Sequence, residues 1–144
     1  MTNNDTICLL KECSAGTKMA VSSIDEVTDH ISDEKLRALL AESRMRHETL
    51  AREIRDFLSK NQAEEKEPST MAKGMSWLKT NIKMTMDGRD AAIADLMIDG
   101  CNMGVKSLYK YLNQYPNAEK ASQSFCRRLI TEEEQLAEKL RSFL

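Results

Sequence analysis

Residues 32–61 read SDEKLRALLAESRMRHETLAREIRDFLSKN. Leu36, Leu40, Leu50, Ile54 and Phe57 recur at spacings of three and four, which puts them on one stripe of an amphipathic helix over about 33–60. Ser43 and His47 fall inside the same stripe. This helix therefore turns an imidazole toward whatever it buries. At its start, Ser32 offers a cap for the free backbone amides, and Asp33 and Glu34 place acids in the first turn, where the helix dipole favours them.

Upstream, Leu10, Cys13, Thr17, Ala20, Ile24, Val27 and Ile31 keep the three-four alternation without a break, so a helix is expected over about 4–30, capped by Asn4 or Asp5. The link between these two helices is too short for anything but a tight turn, which makes them an antiparallel hairpin. Downstream the pattern stops. Residues 61–88 form a crossover that opens with a polar run, Glu64, Glu65, Lys66, Glu67 and Pro68. Helical spacing returns over about 70–86, with Met71, Met75, Leu78 and Ile82 on one side and Trp77 beside them; Asp87-Gly88 closes that piece in a turn.

A helix over about 89–115 carries Ile93, Leu96, Met97, Met103, Leu108, Tyr111 and Leu112. Gly100 and Gly104 lie four apart on one face and are expected to admit a neighbouring backbone. Pro116-Asn117 ends this helix and opens the last one, over about 117–144, striped by Phe125, Leu129, Leu136, Leu140 and Phe143. Two hairpins of matched helices joined by a long strap permit the up-down-down-up course of a one-crossover bundle.

Composition agrees with a single all-α domain over 1–144: charged residues make up 31% and aromatic ones 5%, with five Gly and two Pro, a mixture that favours helices. The 21 basic and 23 acidic residues nearly balance, so no phosphate backbone is expected as a partner. No stretch approaches the roughly 18 apolar residues of a membrane span, and residues 1–5 lack the pattern of a secretory signal; a soluble, cytoplasmic protein is expected. Cys8, Cys13, Cys101 and Cys126 form no Cys-x-x-Cys pair and read as small core residues.

Gly16, the Trp77-Leu78-Lys79 element, Gly88-Arg89-Asp90 and Gly100 carry a resemblance to the ferritin-like superfamily, and more closely to an uncharacterised bacterial family of ferritin-like four-helix proteins. The resemblance implies a ferritin-like four-helix bundle. Iron proteins of this kind use an inward Glu on each of two helices and a Glu-x-x-His pair on each of the other two. Counted by height, the middle of such a bundle would collect Thr17, His47, the Gly100–Gly104 segment and Glu132, the last flanked by Leu129 and Leu136; Glu133 and Glu134 read as a solvated face.

Arg44 stands where the Glu preceding His47 is needed, and Gln135 where the His following Glu132 is needed. The expectation is a degenerate di-iron site with no bound metal or cofactor, His47 being a core imidazole hydrogen-bonded to Glu132, Thr17, Ser43 or water. The function expected is a non-enzymatic interaction or stress-associated module. The competing reading is a metal-binding or redox protein holding iron or zinc through His47, Glu132 and Cys13. His30, at a helix end, reads as a surface residue. No phosphate loop or nucleophile with a nearby base is evident, and no catalytic residue is assigned. A homodimer through the crossover around Trp77 is expected, with the physiological partner unknown.

Overall fold

The computed structural model describes residues 3–64, 69–84 and 90–144. They form five α-helices and a final 3-10 turn: α1 (Asn4–Thr28), α2 (Glu34–Lys60), α3 (Ser69–Met84), α4 (Asp90–Gln114) and α5 (Lys120–Leu140), with the turn at Arg141–Phe143. Among the described residues there is no strand. No helix among them is long and apolar enough to cross a membrane. The Pro68 break, the Asp87-Gly88 turn, the Gly88-Arg89 part of the α4 start and the Met71 side chain lie outside the described residues.

Three helix starts depart from the sequence reading, two of them because the amides concerned are held from elsewhere in the chain. Asn3, not Asn4 or Asp5, caps α1, its Oδ1 accepting from the Thr6 amide at 2.8 Å. Asp33, not Ser32, caps α2 and accepts from the amides of Lys35 and Leu36. The amides of Ser32 and Asp33 instead donate to the two carboxylate oxygens of Asp90, at 2.9 and 2.8 Å. α5 begins at Lys120 rather than at Asn117, because the amides of Asn117 and Glu119 donate to Asp5 Oδ2 and Thr6 Oγ1.

These bonds also fix which ends meet. The start of α1 meets the α4–α5 turn, and the start of α4 meets the α1–α2 turn. α1 and α5 therefore begin at one end of the molecule, α2 and α4 at the other. α1 packs most extensively on α2, and α4 on α5; α1 and α2 both touch α5, while α3 lies across α1 and α4.

The core divides into two apolar clusters. One gathers Ile24, Val27, Leu36, Leu40, Ile93 and Leu140 and takes in Leu78 of α3, with Met75 and Ile82 packed against it. The other gathers Leu9, Leu10, Leu50, Ile54, Leu58 and Leu129. On α2 the buried face runs Leu36, Leu40, Ser43, His47, Leu50, Ile54, Leu58, so the polar pair lies between the two clusters.

Candidate functional site: a buried ion pair beside a cavity

α2 turns the His47 ring inward between its two apolar clusters, where the side chain is wholly buried. Buried polar atoms need partners, and both ring nitrogens have one. Nε2 lies 2.9 Å from Glu133 Oε1, and Nδ1 lies 2.8 Å from the Ser43 carbonyl oxygen, with Ser43 Oγ at 3.3 Å. A carbonyl and a carboxylate only accept. Both nitrogens are therefore protonated and donate, which makes His47 an imidazolium. Burial alone would lower its pKa; the Glu133 hydrogen bond and charge, the Ser43 carbonyl and the Glu132 charge together outweigh that and raise it.

The pair belongs to a longer chain of contacts. Ser43 Oγ donates to Glu132 Oε1 at 3.0 Å, and Arg46 Nε donates to both Glu132 oxygens at 3.0 and 2.9 Å. The Cys101 thiol lies close to the Glu133 carboxylate. The Cys101 pKa is pushed up by burial first, then by the charge and hydrogen bond of Glu133, then by Glu132. Charge and hydrogen bonding thus run from half-exposed Arg46 on α2 through Glu132, Ser43 and His47 to Glu133 in the interior, with Cys101 of α4 close by.

Of the residues the sequence places at this level, His47 and Ser43 meet as expected, but the ring pairs with Glu133 rather than Glu132. Glu133, read as a solvated residue, is buried and forms the ion pair, whereas Glu132 lies at the α2–α5 edge and reaches the layer only through Ser43. Both positions lie between Leu129 and Leu136. The buried sequence Ser122, Cys126, Leu129, Glu133, Leu136, Leu140 steps by four and three in strict alternation, and that longer register selects 133. Thr17 is buried but hydrogen-bonds to the Ser14 carbonyl of its own helix. Arg46 carried no signal, because its partner lies 86 positions away.

These residues do not fit a di-iron centre or a zinc site. The His47 nitrogens are both spent as donors, Glu132 is held by Arg46, and Arg44 points outward to Asp25 and Glu48. Cys13 lies with Cys126 in the other apolar cluster, away from His47. Among the described residues no group of three His, Cys, Asp or Glu side chains converges in a way that could hold a metal ion.

Beside the ion pair lies a cavity of about 400 Å³ between α1, α3 and α4, floored by α5. Met19, Trp77, Leu96, Gly100, Gly104 and Glu133 are among the residues that line it. Gly100 and Gly104, expected to admit a close backbone, do otherwise: a Cβ at Gly100 would have nothing within 4 Å, and one at Gly104 would meet only the Glu133 carboxylate, at 3.8 Å. The glycines border open space. Met103, expected in the core, is 51% exposed, because the buried face of α4 runs Met97, Cys101, Leu108 and leaves it to one side. Trp77, 37% exposed, turns much of its ring area into the cavity wall.

Comparison of the chain with protein-family models, with curated proteins and with solved structures finds no match.

Proposed function

We propose that this chain is a non-catalytic binding protein on a ferritin-like, up-down-down-up bundle, and that the cavity beneath α3 encloses a small apolar molecule. The ion pair of His47 and Glu133 occupies the level at which such bundles hold a di-iron centre. The shared starting ends of α1 with α5 and of α2 with α4, and the lie of α3 across α1 and α4, support that course.

The observation that carries the binding reading is Gly100. A glycine inside a helix costs about 0.5–1 kcal/mol relative to alanine, which is tolerated where a neighbour needs the room. Here nothing outside its own stretch of helix lies within 4 Å of the position a Cβ would take, so the room is left to the cavity. A volume of about 400 Å³ with mostly apolar walls is within the usual range of small-molecule sites.

Trp77 is the one tryptophan of the chain and lines the cavity, which makes its fluorescence a direct reporter. Titration with 1-octanol is expected to give a saturable change that Gly100→Leu abolishes by filling the space. A response that rises without saturation, or that survives Gly100→Leu, would refute the reading. Metal analysis of protein expressed with iron and zinc is expected to find only traces; a stoichiometric ion removed by chelation would refute the non-metal reading of the ion-pair level.

A further inference from the structure

We infer that the molecule taken by this cavity is an apolar primary amine in its protonated form, its ammonium seated beside the Glu133 carboxylate; this rests on the cavity reading above. Of the three charged residues that line the cavity, Glu12, Lys73 and Glu133, it is Glu133 that is buried. Glu133 is 9% exposed, lines the cavity, and uses Oε1 to accept from His47. Its Oε2 lies 3.8 Å from the position a Cβ on Gly104 would occupy, so the glycine leaves a small clearing against that oxygen. A carboxylate offers about four lone-pair sites, more than His47 fills.

The sign of the local field follows from the charges around it. Two carboxylates lie near Cys101, Glu133 in the interior and Glu132 at the α2–α5 edge, each with its side chain 11% exposed. Against them stand the His47 imidazolium, which is buried, and Arg46, whose side chain is 44% exposed and therefore screened by water. Of the two carboxylates it is Glu133 that lines the cavity, and its Oε2 is the oxygen beside the Gly104 clearing. The Cys101 thiol, which also lines the cavity, is held in its neutral form by burial and by these same two charges. Burial opposes any unpaired charge there; the carboxylates add to that cost for an anion and offset it for a cation.

An ammonium stripped of water is costly unless it is paired and hydrogen-bonded. A primary amine brings three N–H donors to an oxygen that accepts, while its hydrocarbon body covers the remaining, apolar wall. Lys73, Trp77 and Met103, all exposed, stand at the rim, where the hydrocarbon end would emerge. Glu12 of α1 adds a further carboxylate to the lining.

The test compares n-octylamine, 1-octanol and octanoate at neutral pH by Trp77 fluorescence, with wild type, Glu133→Gln, the double variant His47→Gln with Glu133→Gln, and Gly100→Leu. In wild type the amine is expected to bind on the order of tenfold more tightly than the alcohol, with octanoate weakest. Glu133→Gln should equalise amine and alcohol; the double variant, which leaves no unpaired imidazolium, should do the same if the single variant fails to fold by circular dichroism. Equal binding of amine and alcohol to wild type, or tightest binding of octanoate, overturns the amine while sparing the cavity reading. A preference for the amine that survives in the double variant overturns the role of Glu133. Saturation by none of the three, or saturation that persists in Gly100→Leu, overturns the cavity reading and the amine together.

Discussion

His47 keeps two protons because each of its nitrogens faces an atom that can only accept, and the charge so created is matched by one carboxylate. Removing a single member of such a buried pair strands the other. His47→Leu is therefore expected to destabilise the fold by about 3–5 kcal/mol in chemical denaturation, although a merely polar core histidine would be replaced at little cost. Adding Glu133→Leu to it should recover a large part of that loss, since the two sites share one interaction. A single variant within about 0.5 kcal/mol of wild type would mean the pair does not form.

The same pair sets a pH dependence. The His47 pKa in the fold stands above its ordinary value of 6.5, so its stabilisation is complete below the unfolded value and is lost as pH rises through the folded one. The melting temperature of wild type should decline as pH rises above about 6.5, more steeply than that of His47→Gln. Parallel curves for the two proteins would count against an imidazolium at this position. The inward histidine was legible from the stripe of α2 alone. Its partner was not, because Glu132 and Glu133 both lie within one turn of Leu129 and Leu136, and only the run back to Ser122 tells them apart.

For the helices as elements, the three-four spacing located all five to within a few residues, and the departures are confined to their ends. Those ends are set by side chains remote in sequence: Asp90 holds the start of α2, and Asp5 and Thr6 hold the approach to α5. Local spacing carries no record of such partners. The glycines mislead for a related reason, since a missing side chain does not say whether a neighbour or a void takes its place. Gly16 shows the first case, for a Cβ there would lie 3.3 Å from Leu129 Cδ2. Gly100 shows the second. Gly100→Ala is expected to raise stability by about 0.5–1 kcal/mol, while Gly16→Ala gains clearly less because Leu129 must give way. Thermal or urea unfolding of the two variants decides this, and an equal gain in both would show that Leu129 yields freely.

In the whole molecule, two helical hairpins close around an interior that is apolar at both ends and charged between them. All-helical architecture and a polar level containing His47 were legible from periodicity and connection lengths. The cavity was not, because it is bounded by α1, α4 and the strap α3, and no sequence pattern states how closely a strap settles onto the helices it crosses.

The contacts that join the hairpins at their two ends, Asp90 to the turn at 32–33 and Asn3, Asp5 and Thr6 to residues 117–119, owe nothing to the covalent link between them. Peptide continuity from α2 to α4 is then a convenience of synthesis. Residues 1–64 and 65–144 made as separate chains in one cell should find each other and copurify as an equimolar pair with the helix content of the intact protein; recovery of either half alone would show that the tether does what the end contacts do not.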